Sequence, residues 1–163
     1  MKKDEMEVKC LVTRTKPQDL NESEAELLRK AHEAAYKAYA PYSGFNVGSA
    51  VRLKSGTIVM GSNQENIAYP SGLCAERVGV FAAGAQFPDE EIESIAIVSP
   101  SPLAEAKTFM PCGSCRQVLL EAESRQKTQI KLYLQARDEK VLVSNSASNL
   151  LPFSFTIQND VFN

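Results

Sequence analysis

Two short stretches concentrate the residue types that do chemistry: Cys74-Ala75-Glu76-Arg77 and Pro111-Cys112-Gly113-Ser114-Cys115-Arg116-Gln117. Each lies where a helix is expected to begin, over 74–85 and over about 112–124. The free N–H groups and the dipole of a helix start favour thiolate over thiol, and thiolate is the form that binds metal. Cys112 and Cys115 fall on one helical turn, and Cys74 can bring a third sulfur from the other helix. Three thiolates leave one position of a tetrahedral zinc site open, the arrangement of a catalytic zinc. Glu76, two residues from a ligand, is close enough to handle protons at a zinc-bound water. Zinc with three thiolates carries a formal negative charge. Arg77 and Arg116, beside the cysteine motifs, are placed to donate hydrogen bonds to sulfur and withdraw that charge.

Two other readings of these cysteines stay open. A Cys-x-x-Cys pair also serves thioredoxin-like redox chemistry. A closed structural zinc would need a fourth ligand, and the candidates are Cys10 and His32. Cys10 alternates inward on an expected strand and reads as a small buried hydrophobe. His32 follows Ala31 beside the apolar stripe of the first helix and reads as a partly exposed helix residue.

The elements that must hold these motifs are legible as patterns. Residues 6–13 alternate like a short strand, with Met6, Val8, Cys10 and Val12 on one side. A first helix is expected near Ser23, which forms a capping-box pattern with Glu26. Leu27, Leu28, Ala31, Ala34, Ala35 and Ala38 give it one apolar face, and Pro41 and Gly44 end it. Val47–Leu53 and Thr57–Gly61 read as two strands joined at Lys54-Ser55-Gly56. A loop spans Ser62–Leu73, and Ser94-Ile95-Ala96-Ile97-Val98 is an apolar run expected of a buried strand. Another loop, 99–111, precedes the second cysteine helix, whose inner face carries Val118, Leu119 and Ala122. Strands follow at 130–134 and 140–143, then an apolar tail, Leu150-Leu151-Pro152-Phe153-Ser154-Phe155. This order favours a mixed sheet with helices on its faces.

Composition bounds the function. The 163 residues make one domain, and 44% hydrophobic with 23% charged residues is ordinary for a globular fold. With 18 Lys+Arg against 20 Asp+Glu, net −2, the chain lacks the cationic surface that holds nucleic acid. No apolar run approaches the roughly 20 residues of a membrane span. The charged start, Met1 to Glu7, lacks the apolar segment of a signal peptide, so the expected compartment is the cytoplasm.

The ordered motifs resemble those of the cytidine deaminases that act on free nucleosides, in the small-subunit form with three cysteine ligands. The resemblance covers roughly residues 24–158. It runs through Ala40-Pro41-Tyr42-Ser43-Gly44-Phe45, Asn63-Gln64-Glu65-Asn66 and Ala68-Tyr69-Pro70 before the two cysteine motifs and the tail. It implies a three-layer α/β/α fold with a mixed, about five-stranded sheet, with residues 1–22 as an extension and 23–163 as the deaminase domain. It also implies Zn2+ on Cys74, Cys112 and Cys115, with Glu76 as proton shuttle. Asn63 and Glu65 would hold the ribose, Phe45 would pack on the nucleoside, and the backbone of Ala75 would read the pyrimidine with Glu76. Phe155 would reach a neighbouring subunit's site in a homotetramer. The implied reaction is hydrolytic deamination of cytidine and 2'-deoxycytidine at C4. Related readings are deamination of another aminopyrimidine nucleoside such as blasticidin S, action on a polynucleotide, and a zinc-stabilised binding protein without catalysis. The sequence departs from its relatives at Asn46, where many carry Pro, and at Val78-Gly79, where a small polar residue and Ala are usual.

Overall fold

The computed structural model describes residues 4–105, 107, 109–137 and 140–155. The first helix, α1, spans Glu22–Ala35 and starts one capping box earlier than expected. Asn21 Oδ1 accepts from Glu24 N at 2.9 Å, and Glu24 Oε2 accepts from Asn21 N at 3.1 Å. Both Asn21-x-x-Glu24 and Ser23-x-x-Glu26 satisfy the pattern. Glu26 is drawn elsewhere, to Arg52 Nη2 at 2.7 Å, so the upstream box wins. The helix stops at Ala35, and Ala38 lies beyond it.

Strands β2 (Gly48–Leu53) and β3 (Ile58–Ser62) form the expected antiparallel hairpin, with Val51 opposite Val59. Gly56 takes φ +90° at its turn, a conformation that favours glycine. β4 (Ile92–Ser99) lies antiparallel to β2 and parallel to β5 (Lys131–Ala136). A parallel pair needs a crossover, and α3 (Gly113–Gln126) supplies it. β6 (Val141–Ser144) returns antiparallel to β5. The sheet order is β1-β6-β5-β4-β2-β3.

The sixth strand, β1, is Thr13–Thr15, paired with Val141–Val143 of β6. The strand expected over 6–13 therefore shrinks and shifts. Alternation alone does not bury a segment that has no surface to lie on: Met6, Val8, Leu11 and Cys10 are all exposed. The inward place expected for Cys10 is corrected accordingly.

The two faces of the sheet are read out by strand alternation. Ala50, Ala96, Val98 and Tyr133 face α1, meeting Leu27, Leu28, Ala31 and Ala35. Val51, Leu53, Ile95, Ile97, Leu132 and Leu134 face the other way, toward α2 (Ala75–Gln86) and α3. The architecture is thus the expected α/β/α, with one strand more than five. The apolar run of β4 is covered on both faces, and cutting Ile97 to Ala would cost about 2–5 kcal/mol. Among the described residues, no helix is long and apolar enough to cross a membrane.

Candidate metal and catalytic site

Cys74 and Cys112 are the N-cap residues of α2 and α3, both in extended backbone conformation, and neither uses its side chain to cap. Their sulfurs are free to turn toward each other, and Cys115 joins them from the first turn of α3. The three Sγ atoms lie within 4.8 Å of one another. Tetrahedral zinc with bonds of about 2.3 Å holds its sulfurs about 3.8 Å apart, so the donor set fits in number, type and spacing. The cluster contains no fourth His, Cys, Asp or Glu among the described residues. Cys10 is exposed and His32 Nε2 is bonded to Gln135 Oε1 at 3.0 Å, so neither closes the site. A third sulfur beside the Cys-x-x-Cys pair also favours a metal centre over a redox pair.

The electrostatics agree. Cys74 is brought down to about 5, first by the hydrogen bond it accepts from the Cys115 thiol and then by Arg77, against the opposing effect of burial. Cys115 is pushed up, because it holds that shared proton beside a thiolate, in a buried position facing Glu76. A bound metal takes the place of that proton. Arg77 Nη2 lies 4.0 Å from Cys74 Sγ. Its Nε is buried without a hydrogen-bond partner among the described residues.

Arg116 does not take the expected role toward sulfur. Its Nε donates to Pro111 O at 2.7 Å and its Nη1 to Leu150 O at 3.1 Å. It braces the turn before Cys112 against the 3-10 turn Ala147–Leu150. Carbonyls on both sides of α3 are nearer competitors for a guanidinium that spacing alone assigned to the metal.

Glu76 is only 6% exposed. Burial, with the Cys74 thiolate adding to it, pushes its carboxyl up to about 7, although its own backbone N–H and Cys115 hold it lower. A carboxyl poised there can both accept and return a proton near neutral pH. Its place is fixed from beneath: Ser49 Oγ, fully buried on β2, donates to Ala75 O at 2.7 Å and clamps the first turn of α2 to the sheet. Nothing in the sequence pattern marks Ser49.

A cavity of about 440 Å³ opens beside the cluster. Cys74, Ala75, Glu76 and Cys112 line it together with Phe45, Asn63 and Glu65, so the structure brings together most of the residues singled out from the sequence. Val47, Leu103, Phe109 and Met110 also line it. The last three lie in the 99–111 loop, where apolar residues without a helix or strand to serve were the one available signal. Phe155 is not part of this lining; it is 73% exposed, and its carbonyl accepts from Gln117 Nε2 at 3.1 Å. A second cavity, of about 380 Å³, shares Ser43, Asn63, Glu65 and Cys74 with the first and is bounded by Tyr42, Tyr69 and Arg77.

Asn63 and Glu65 are held by backbone more tightly than loop residues need to be. Asn63 Oδ1 accepts from Val47 N at 2.8 Å and its Nδ2 donates to Phe45 O at 2.9 Å. Glu65 accepts from Tyr42 N at 2.9 Å, Ser43 N at 3.2 Å and the Ser43 hydroxyl. The Ser43 hydroxyl and these backbone donors hold the Glu65 carboxyl below its ordinary range.

Comparison with known proteins gives a consistent set of relatives. The zinc-binding region of the cytidine and deoxycytidylate deaminases, as a family pattern, matches residues 21–130. A cytidine deaminase of Halalkalibacterium halodurans is 34% identical over 141 residues, covering 82% of this chain and 94% of that protein. The crystal structure of a cytidine deaminase from Burkholderia pseudomallei superposes with TM-score 0.68 at 37% identity, over 80% of this chain and 97% of that one. The corresponding structure from Mycobacterium tuberculosis gives 0.62 at 33% identity, over 81% and 96%.

Proposed function

The chain belongs to the cytidine and deoxycytidylate deaminase family, and on that premise we propose that it hydrolyses cytidine and 2'-deoxycytidine to uridine and 2'-deoxyuridine plus ammonia. The observation that carries this reading is a cluster of three cysteine sulfurs within 4.8 Å, two of whose residues, Cys74 and Cys112, line one cavity with the buried Glu76. Held by Cys74, Cys112 and Cys115, zinc supplies a Lewis acid that brings the acidity of water toward neutrality. Glu76 accepts the water proton at its carboxylate oxygen. It gives that proton to N3 of the ring as the water oxygen bonds to C4. It then takes the proton of the new C4 hydroxyl and gives it to the 4-amino nitrogen, so that the C4–N bond breaks, ammonia departs and the C4 carbonyl remains. Phe45 packs on the nucleoside and the Ala75 backbone meets the pyrimidine edge. Asn63 retains one amide N–H and Glu65 one carboxylate lone-pair site beyond their backbone bonds, enough to engage the sugar hydroxyls. Arg77 offsets the charge of the thiolates.

The same proposal makes the active form a cytoplasmic homotetramer in pyrimidine salvage, with residues 1–22 as an extension to the deaminase domain at 23–163. Tyr36, Ile67, Tyr69, Phe153 and Phe155 are all more than 60% exposed, which suits surfaces that a second copy covers and a Phe155 that completes a neighbour's site. Mixing Phe155→Ala chains with Glu76→Gln chains and reassembling them should restore some activity; monomeric mass at active concentration would refute the shared site.

The deciding test is ultraviolet-monitored loss of cytidine by purified protein of measured zinc content. Turnover of cytidine and deoxycytidine, with slower or no action on blasticidin S and on an oligonucleotide, is the expected result. Zinc-loaded protein that leaves cytidine unchanged would overturn the reading.

A further inference from the structure

The cavity has two walls that come from distant parts of the chain. Phe45 and Val47 belong to the segment after α1, and Leu103, Ala104, Phe109 and Met110 to the loop after β4. Both walls meet at one side chain. Ser99, the last residue of β4, is fully buried. Its Oγ donates to Asn46 O at 2.7 Å, between the two cavity residues of the first wall. The same oxygen accepts from Ser101 N at 3.3 Å, at the root of the second wall. Ser99 does not line the cavity itself, but Ile97, two residues earlier on the same strand face, does.

The sequence explains why this contact transmits position. The loop begins Ser99-Pro100-Ser101-Pro102-Leu103. Both prolines have fixed φ and no N–H. The first two backbone donors of the loop are therefore Ser101 N and Leu103 N. Each is taken by the serine hydroxyl two residues before it, Ser99 Oγ and Ser101 Oγ, the latter at 3.3 Å. Ala104 N closes the turn on Ser101 O at 3.0 Å. The first wall is anchored as well: Asn46 Nδ2 donates to Ala35 O at the end of α1 at 3.3 Å, and Asn63 holds the backbone of Phe45 and Val47. Two stiff segments joined through one buried hydroxyl have a defined separation.

We propose that Ser99 is a positioning residue for the substrate cavity, its hydroxyl tying the wall of Phe45 and Val47 to the wall of Leu103, Ala104, Phe109 and Met110 and so setting the width of the slot that takes the pyrimidine ring. The proposal rests on the nucleoside-deaminase reading of the cavity. Ser99 touches neither the sulfur cluster nor Glu76 through any described hydrogen bond, so it acts on binding rather than on proton transfer.

The test compares wild type, Ser99→Ala, Ser99→Cys and Tyr133→Phe by zinc content, melting temperature, and kcat and KM for cytidine. Tyr133→Phe deletes one partly buried hydrogen bond on the opposite face of the sheet and reports what lost stability alone does. Ser99→Ala should raise KM about fivefold to tenfold, the size of one hydrogen bond, with kcat within about twofold of wild type and zinc unchanged. Ser99→Cys, similar in size with a weak donor, should fall between, and it carries the comparison if the alanine variant does not fold. Tyr133→Phe should leave KM alone. An active wild type whose KM is unmoved by the Ser99 changes, or is moved equally by Tyr133→Phe, overturns the positioning role. A zinc-loaded wild type without cytidine turnover overturns the deaminase reading first, and the positioning role with it.

Discussion

Helix α2 lies so close to the sheet that two glycines mark the contact. A Cβ on Gly79 would stand 2.7 Å from Ser49 Oγ and 3.1 Å from Val51 Cγ2. One on Gly61 of β3 would stand 2.4 Å from Gly79 N and 2.5 Å from Ala75 O. Gly79→Ala sets two effects against each other. Alanine improves the helix by about 1 kcal/mol. Against that, the Ser49 hydroxyl must leave its 2.7 Å bond to Ala75 O. A buried group losing its partner costs about 1–3 kcal/mol, and forcing a methyl into a packed contact costs about 1–3 more. The net is a loss centred near 2–3 kcal/mol, which for a chain of this size lowers Tm by roughly 5–10 °C. If α2 instead moves outward, Cys74 and Glu76 move with its first turn, and zinc content and kcat fall together. Thermal unfolding by circular dichroism, with zinc by elemental analysis, reads both. The companion Ser49→Ala removes the oxygen that the methyl meets, so the double variant should be less destabilised than the sum of the single ones. A Gly79→Ala protein that melts higher than wild type would refute the close-contact account and leave only the propensity gain.

Glu76→Gln should keep zinc and fold while losing about 10²–10⁴-fold or more in kcat, since the amide cannot accept and return a proton; retention of a tenth of wild-type turnover would remove Glu76 from the proton path. Cys112→Ala or Cys115→Ala should lose zinc and activity together, whereas Cys10→Ala should change neither, as elemental analysis per chain will read. Glu24, where burial acts against ionisation but hydrogen bonds from Lys131 and Tyr133 outweigh it, has its pKa lowered in the folded protein. Its contribution is therefore present above the unfolded value of 4.5 and lost as pH falls through the folded value. Tyr133→Phe removes the 2.6 Å bond to Glu24 and should move the midpoint of acid unfolding to higher pH; an unchanged midpoint would mean that the bond does not hold the carboxylate.

What the sequence disclosed, and what it hid, divides by the range of the interactions involved. Cys112, Cys115 and the helix that starts at Gly113 are tied by covalent spacing, so their convergence follows from a single local turn. The hairpin of β2 and β3 is likewise local, fixed by Gly56 and the alternation on either side. The start of α1 was ambiguous because two capping boxes overlap. Arg52, some 26 residues away, decided between them by engaging Glu26. Arg116 was misassigned for a related reason. Spacing puts it beside Cys115, but Leu150 O, 34 residues on, is a partner that only the folded chain supplies.

The substrate walls show the limit most sharply. Asn63 and Glu65 stand in the sequence as polar residues of a loop, which on their own read as loop-capping groups; a bound sugar is what the family resemblance implies for them. In the folded chain each first fixes backbone: Asn63 at Phe45 and Val47, Glu65 at Tyr42 and Ser43. A loop whose N–H groups are taken by its neighbours' side chains keeps its shape without a ligand, which lowers the ordering cost of binding. That role is compatible with the sugar contact proposed above, because a carboxylate or amide held by two backbone contacts presents its remaining lone pair or N–H in a fixed direction. Such a role leaves no periodicity and no motif of its own. It becomes visible only once partners 16 to 23 positions apart in the chain have been brought together, which is why the metal centre is readable from the sequence and the shape of the cavity beside it is not.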